Sequence, residues 1–591
     1  MEKNTILAIV AIFIILLVFQ LIFLRPTAEK PQQVPQEEVA GQKVPQQEKA
    51  PLEKEESIPI PVPIEEAEKK VVSVETDYYS IKLSTEGASL ISLKLKRYKD
   101  RNGEPIELVS LEEGDVKPFE IQFSRLRNVS KGDKTIYHVK RVNDLHYIFY
   151  TNFKDQKGNI YSLQKEYIFC KSDYVFDVKV SIKAINTEEI FLNNNGISYT
   201  MIWGPVLGPI SVVKNRYNIT TQGYYENGKF RKVMRGAAGC TLRKGESRYE
   251  EVSKVVEWVG MSNRYFFLGI IPDQKDYIYS FDQRTQNKFL LAVSHPYFKG
   301  KEFEDSFKVY AGPKDRKILK HYGHDFESVM SGKILKPLVI FLEWMIKVFY
   351  RVTKNYGLAI ILMTITIKLI LHPLTKKSFE SMRRMSALQP KINELRERYR
   401  NNPQQLNKEI TALYRKERVN PMGGCLPMLL QLPIFYALYT VLSSMIDLRN
   451  ESFLWIKDLS LPDTVATIKT ALPLLGYRLG GQGYTDINIL PFIMTGTTLL
   501  QSKLTSGDQS AQQGKMMTYL FPIIFFFIFW NMPSGLVLYW TVQNILTIGQ
   551  QYIIDIRLKK KMKVPVKPKG CLLYTSPSPR DLSTSRMPSS A

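Results

Sequence analysis

A lysine interrupts an apolar run. Gly357 to Leu371 carries Thr364, Thr366 and Lys368 as its only non-apolar side chains. A charge inside a membrane-length apolar segment is costly, and it faces protein or water. Thr364 lies one helical turn before Lys368 on the same face, so the pair can begin a polar groove that attracts anionic groups. A second reading is equally open. Lys368 precedes Pro373 by five residues, and at about 1.5 Å per residue its stem reaches a headgroup layer by snorkelling. Gln431, Gln501, Gln543 and Asn544 also sit in or beside apolar runs. They line the same cavity, or they are hydrogen-bond partners between helices, the usual role of polar residues in bundles. The chain has no G-x-S-x-G, H-E-x-x-H or phosphate-binding glycine loop. It has no C-x-x-C or His/Cys cluster of metal-site spacing. Electrostatic capture, without enzymatic turnover, metal or cofactor, is the chemistry these residues support.

The elements that must hold them are those of a membrane protein. The 591 residues carry a formal charge of +24 and are 44% hydrophobic. Such a basic balance suits nucleic acid or an anionic membrane surface. Much of the charge lies beside long apolar runs, as in membrane proteins, and no nucleic-acid-binding signature occurs. Residues 1–25 read as a signal-anchor helix, with Ile6 to Leu24 apolar except for Gln20. Residues 26–70, rich in Pro, Glu, Gln and Lys, read as a disordered linker. From 71 to 325 the pattern changes to alternation: Ile91, Leu93, Leu95 and Phe176, Val178, Val180, Ile182 are separated by polar residues. Period two with aromatic and β-branched enrichment predicts an all-β sandwich. Cys170 and Cys240 share it, as a disulfide or as two buried thiols. Residues 326–354 are assigned to an interfacial amphipathic helix. Lys333 to Lys354 places Glu343, Lys347 and Arg351 on one face, against Phe341, Leu342, Trp344, Met345 and Val348. A packed amphipathic helix of a soluble body has the same pattern.

Residues 355–555 hold five further spans: Gly357–Leu371, Gly423–Met445, Ile487–Leu500, Met516–Trp530 and Leu536–Ile554. With the signal anchor the expected fold is a six-span α-helical membrane protein. Between the first two, residues 373–420 contain twelve Lys/Arg and five Asp/Glu. Met385, Leu388, Ile392, Leu395 and Tyr399, then Leu406, Ile410 and Leu413, follow three-four spacing about Asn401-Asn402-Pro403. This predicts a helical hairpin, its first arm kinked at Pro390. Its basic residues, Arg383, Arg384, Arg396 and Arg398 among them, face ribosomal RNA or lipid headgroups, or simply solvent. The basic segment 556–570 follows the last span, whereas Asp447 to Asp486 has four basic and five acidic residues. The positive-inside rule therefore puts the hairpin, both termini and the tail in the cytoplasm, and the β-domain in a bacterial periplasm. Residues 571–591 are Ser/Pro-rich, resemble a translated sequencing adapter, and are set aside.

Three strings carry a resemblance. TIKLILHPLTKKSFESMRRMSALQPKINELRERYR, ALYRKERVNPMGGCLPMLLQLPIFYALY and FPIIFFFIFWNMPSGLVLYWTVQNILTIGQQ lie in order between about Phe349 and Arg557. Together they resemble the YidC-type membrane-protein insertase family, in its Gram-negative form with a large periplasmic domain. The resemblance implies a five-helix core with a hydrophilic groove open to the cytoplasm. The family's groove arginine falls on Lys368, which keeps the charge and loses the planar fork. Thr364, Gln431, Tyr539 and Trp540 fall on or near the groove. An apolar slide for the client falls on the third and fifth family spans, with Leu429, Phe435, Phe525, Phe526 and Phe527. The implied partners are nascent membrane-protein clients, Sec translocon components, the ribosome and the phospholipid bilayer, with no small-molecule substrate. A secondary transporter is the rival reading, because Pro- or Gly-broken spans with an intramembrane lysine suit a solute site. No inverted repeat or intramembrane carboxylate supports it. A glycan-binding β-domain is a further rival, tested by sugar-dependent thermal shift.

Overall fold

Two neighbouring strands show how the sequence builds the β-domain. In Val175–Ala184 the residues Phe176, Val178, Val180 and Ile182 are buried and those between are half-exposed. Ile160–Phe169 repeats the pattern with Tyr161, Leu163, Lys165, Tyr167 and Phe169 inward. The antiparallel register sets Phe176 opposite Phe169, Val178 opposite Tyr167 and Val180 opposite Lys165. One face of each strand therefore enters the core, where a fully buried large apolar side chain contributes about 1.5–3 kcal/mol.

The computed structural model describes residues 62–63, 67–100, 102–155, 157–209, 218, 220–236, 248–274, 276–285, 287–330, 335–417, 419, 426–472, 475, 477–479, 482–506 and 512–562. The expected signal anchor, most of the linker, Cys240 and residues 563–591 lie outside them; Cys170 is exposed. The chain divides into two compact units, Met1–Met363 with Leu432–Leu490 and Phe527–Leu538, and Thr364–Gln431 with Pro491–Phe526 and Tyr539–Ala591.

In the first unit a ten-stranded antiparallel sheet runs Val62–Pro63, His146–Lys154, Ile160–Phe169, Val175–Ala184, Glu302–Pro313, Phe266–Pro272, Trp258–Ser262, Thr220–Glu226, Lys229–Gly236, with His138–Asn143 also paired to His146–Lys154. A five-stranded sheet orders Arg248–Val252, Ile278–Gln283, Phe289–Pro296, Ile197–Trp203 and Glu120–Gln122. A four-stranded sheet comprises Val71–Glu75, Tyr79–Ser84, Ser89–Lys99 and Pro105–Glu107. Their inward faces share one core, with Val178, Tyr199, Phe281 and Leu93 among its members. The sandwich is as expected, but the alternation at 91–95 is not. Leu90, Leu93 and Leu95 are buried and Ile91 is not, because the register shifts by a bulge between Lys82 and Leu83, opposite this stretch.

Lys165 is the core's polar exception. Fully buried, its ammonium donates to the carbonyl of Ala88 at 2.7 Å and to that of Phe119. Glu120, also fully buried, accepts from the Asp133 amide at 2.8 Å. Burial lowers Lys165 to about 7, against the pull of Glu120 and Asp133. Burial raises Glu120 to about 7.

The helices are α1 (Arg316–His321), α2 (Lys336–Thr353), α3 (Tyr356–Ala387), α4 (Gln389–Arg398), α5 (Pro403–Lys416), α6 (Leu426–Ser444), α7 (Leu490–Ser506), α8 (Gln512–Phe529) and α9 (Ser534–Met562). By length and composition α3 can cross a membrane; Leu430–Ser444 and Tyr519–Phe529 are shorter apolar stretches. The five expected spans that follow the signal anchor are each helical over most of their length, with one boundary moved. Residues 487–488 belong to a strand, Gln482–Asn488, in a three-stranded sheet with Thr464–Ile468 and Tyr477–Leu479, so α7 begins at Leu490.

The helix assigned to 326–354 starts at Lys336, after a 3-10 turn at Phe326–Val329. Part of its charged face turns inward: Glu343 and Lys347 are half-buried, while Arg351 is exposed. Lys347 Nζ lies 2.9 Å from Asp315, 3.1 Å from Glu343 and 3.5 Å from Asp447. Burial opposes charge on Lys347, yet these carboxylates hold its pKa above the ordinary lysine value. Val339, Leu342, Met345 and Ile346 are buried beside this network, while Phe341 and Trp344 are exposed, their rings 6.0 Å apart.

Candidate functional site

The second unit collects the polar residues of the apolar helices into a seam along α9. Tyr539, Gln543, Thr547 and Gln550 recur three or four residues apart and share a face. The Lys368 ammonium, on α3, donates to Thr547 Oγ1 at 2.6 Å. The Thr547 hydroxyl donates in turn to the Gln543 carbonyl, 2.6 Å away. Lys368 is only 8% exposed, and Thr364, one turn earlier, is fully buried. Among the described residues no carboxylate forms an ion pair with Lys368.

The seam continues in both directions. Gln431 of α6 donates through Nε2 to the hydroxyl of buried Tyr539. Gln550 Nε2 lies 2.9 Å from Thr375 Oγ1 and 3.1 Å from His372 Nδ1, both on α3. Asn544 donates to Thr498 Oγ1 at 2.8 Å and to Thr497 Oγ1 at 3.2 Å, both on α7. Gln501, Gln543 and Gln550 each bury a side-chain oxygen that accepts no hydrogen bond among the described residues. A buried amide oxygen without a donor is unfavourable by about 1–3 kcal/mol, so such a seam favours a hydrated or ligand-filled state.

Of the expected groove residues, Lys368 and Thr364 share a face of α3, and Gln431 meets Tyr539. Trp540 instead packs its ring 5.3 Å from Phe525. Among the expected slide residues, Phe525 and Phe435 are buried; Phe525 lies 4.2 Å from Phe521, and Phe435 lies 5.6 Å from Phe529 in the first unit. Phe526 and Phe527 are half-buried, Phe526 resting 4.9 Å from Phe492. The side chain of Leu429 falls outside the described residues. Among the described side chains of α6 and α8, the large hydrophobic residues Leu432, Tyr519 and Ile523 are exposed. Thr547, Gln550, Thr375, His372, Thr497 and Thr498 were missed from sequence. The signal for the α9 members was present: Gln543, Thr547 and Gln550 recur four and three residues apart in an apolar helix.

The hairpin is built largely as its pattern requires. Leu388, Ile392 and Val419 form a small core with Met385, Ile410, Leu413 and Tyr414. Lys391 and Glu417 pair across it at 2.9 Å. α3 continues through Pro373 to Ala387, so span and first arm are one helix. The break falls at Leu388, and Pro390 sits in the first turn of α4 rather than kinking an arm. Asn402 caps α5, accepting from the Gln405 amide at 3.1 Å. Arg384, Arg396 and Arg398 are exposed and Arg383 is half-buried.

An antiparallel sandwich followed by apolar helices with an internal polar seam defines a class: integral membrane proteins with a large extramembranous β-domain. Comparison with known proteins narrows it. Residues 71–331 match the model of the YidC periplasmic domain, and 348–561 match that of the 60Kd inner membrane protein. The membrane protein insertase YidC of Treponema denticola is 32% identical over 82% of this chain and 86% of its own length. That of Syntrophus aciditrophicus is 32% identical over 94% of this chain and 99% of its own. A crystal structure of an active YidC insertase with its first transmembrane domain resolved aligns at 18% identity over 84% of this chain and 95% of that one, with a TM-score of 0.33. The chain belongs to the YidC family of membrane-protein insertases, inner-membrane proteins with a periplasmic β-sandwich domain.

Proposed function

We propose that this chain moves newly made transmembrane segments into the bacterial inner membrane, and that Lys368 draws acidic client segments into a hydrophilic groove along α9. The observation that carries the reading is Lys368 itself: a buried ammonium on a span helix, bonded to a hydroxyl and not to a carboxylate among the described residues. An ion pair would neutralise it. A threonine partner orients it and leaves its charge for a client.

The physical problem is desolvation. A client's short hydrophilic outer segment must leave water to cross the bilayer, which is unfavourable for every unpaired polar group. The polar seam shortens the apolar path. A client carboxylate about 4 Å from Lys368 gains about 4 kcal/mol at an effective dielectric of 20. The orphan oxygens of Gln501, Gln543 and Gln550 accept from client or water donors. The client's apolar span then moves along α8, with Ile523 and Phe526 on its path, and gains about 25 cal/mol per Å² on entering lipid. The membrane potential assists acidic segments. The step is non-covalent and uses no nucleotide.

The topology that serves this function has six spans: the signal anchor, α3, α6, α7, α8 and α9. It places the β-domain in the periplasm and the hairpin and both termini in the cytoplasm. α2 lies at the membrane interface with Phe341 and Trp344 toward lipid, which explains why these two aromatic residues are exposed while Glu343 and Lys347 are half-buried. Arg384, Arg396 and Arg398 meet ribosomal phosphates, and the protein works alone or beside the Sec translocon.

The test is insertion of a single-span client with an acidic outer segment into liposomes containing the chain ended at Gly570. Lys368→Ala is expected to slow insertion at least tenfold, since each ~1.4 kcal/mol lost from that attraction is a factor of ten, and Lys368→Arg to retain it. Full activity of Lys368→Ala would reduce the lysine to a packing residue. Solute uptake with no client insertion would favour a transporter.

A further inference from the structure

The segment between α6 and α7 carries an apolar surface that its own fold leaves uncovered. Phe453 and Ile456 exchange two backbone hydrogen bonds, each 2.9 Å, and close a tight turn. At its tip Leu454 is held in the left-handed region, at φ 53°, and is 75% exposed. That conformation is strained for leucine. Trp455 is exposed too, yet its indole N–H donates to Asp463 at 3.1 Å. The ring's one polar group is thus satisfied within the protein, and its outer edge is wholly apolar.

The three-stranded sheet is amphipathic. Thr467 donates to Asp486 across one face at 2.8 Å. The other face carries Ala466 opposite Ile487 and Ile468 opposite Thr485. Thr485 is the polar group there, and it is spent internally: its hydroxyl donates to the Thr470 carbonyl at 2.6 Å and accepts from the Leu472 amide at 2.9 Å. Ile468, Leu472 and Val465 are exposed. In water such a face would be the inside of a sandwich.

Hydrogen bonds tie the sheet to the start of α7, the end of α8 and the start of α9. Asp463 is buried and accepts from the amides of Ile489 and Leu490, at 3.1 and 2.6 Å, so the Trp455 turn, the sheet and the start of α7 converge on one carboxylate. Asn488 donates to the carbonyl of Trp530, one residue beyond α8, at 2.7 Å. The Ser534 amide, at the start of α9, donates to Leu461 at 2.8 Å. Apolar exposure continues from Ile489 into Phe492 and Ile493 of the first turn of α7.

We infer that the Phe453–Ile456 turn and the 464–488 sheet lie on the outer leaflet, with Leu454, Trp455, Ile468 and Leu472 set among phospholipid chains at the headgroup boundary. This rests on α7 crossing the bilayer and not on client insertion. The sheet then acts as an outrigger that fixes how deep the outer ends of the spans sit.

The experiment places an environment-sensitive fluorophore on single cysteines at Ile468, Thr467 or Phe492. It uses the full chain, with native cysteines replaced by serine, in phospholipid nanodiscs. Lipids spin-labelled near the headgroup and aqueous iodide are the two quenchers. The expected result is several-fold stronger lipid quenching at Ile468 than at Thr467, with iodide favouring Thr467. Equal iodide quenching at 467 and 468, with Phe492 quenched by lipid, overturns the outer-leaflet sheet and leaves the span intact. Iodide access at all three overturns both. Shielding of Ile468 from both quenchers means protein covers the face, and also overturns the inference.

Discussion

The buried pair Lys165 and Glu120 gives the β-domain an unusual dependence on pH. Lys165 has a native pKa of about 7, against about 10.4 in an unfolded chain. From pH 7 to about 10.4 the unfolded chain holds a proton that the native state has lost, so stability rises with pH. At about 1.36 kcal/mol per unit, the full rise approaches 5 kcal/mol. Glu120 has the opposite sign. Its native pKa is about 7, and about 4.3 unfolded. Between these values the native state keeps a proton that the unfolded chain has released, so stability falls by up to about 4 kcal/mol as pH rises to 7. Asp133, also raised by burial, adds to this limb. The excised domain, residues 67–330, should therefore be least stable near pH 7. Urea unfolding at closely spaced pH values reads the curve. Lys165→Met should shrink the alkaline limb relative to the parent, with Lys314, which burial also lowers to about 7, carrying the rest, and Glu120→Gln should shrink the acid limb, with Asp133 carrying the rest. A parent curve flat from pH 7 to 10, or a Lys165→Met curve parallel to it, would refute the assignment of these two carriers.

Three further outcomes are expected. Lys347→Met strands Asp315, Glu343 and Asp447 beside one another and should reduce stability by about 3 kcal/mol. Thermal unfolding in detergent reads this, and adding Asp447→Asn should recover part of the loss; no recovery would mean the loss is one of packing. A Cβ on Gly357 would meet the Phe453 ring at 2.2 Å, so Gly357→Ala should lower the unfolding temperature by an overpacking cost of about 1–3 kcal/mol, and an unchanged midpoint would contradict that contact. Asn402→Ala removes the α5 cap, worth about 1 kcal/mol. Limited proteolysis should then cut the hairpin faster, and an unchanged cutting rate would show that the cap is not limiting.

What was legible in the sequence was periodicity; what was not was the medium each face meets. Phe176 to Ile182 alternates without interruption, and those four side chains are buried as read. Ile91 has the same spacing, but a bulge is a register fault between two strands and leaves no mark on one of them. In α2 the faces were separable by the i,i+4 charges. Their destinations were not, because Asp315 and Asp447, which draw Lys347 inward, lie far away in the chain. The Gln482–Asn488 strand was read partly as a span because Ile487 adjoins an apolar run. Lys368 was singled out from its type and setting alone, while its partner Thr547, 179 residues away, needed the fold.

The unbroken course of α3 has a mechanical consequence. Lys368 and Arg384 ride one helix, sixteen residues and about 24 Å apart, so torque applied at the hairpin reaches the ammonium through a single shaft. Pro373 lies between them and deprives the helix of one backbone hydrogen bond. The shaft therefore yields at one joint before it yields anywhere else. Gln550 braces that joint by gripping Thr375 and His372 on either side of the proline. The helix is thus a drive rod with a splinted coupling, and the stiffness of that coupling sets how much of a load on the hairpin is felt at Lys368.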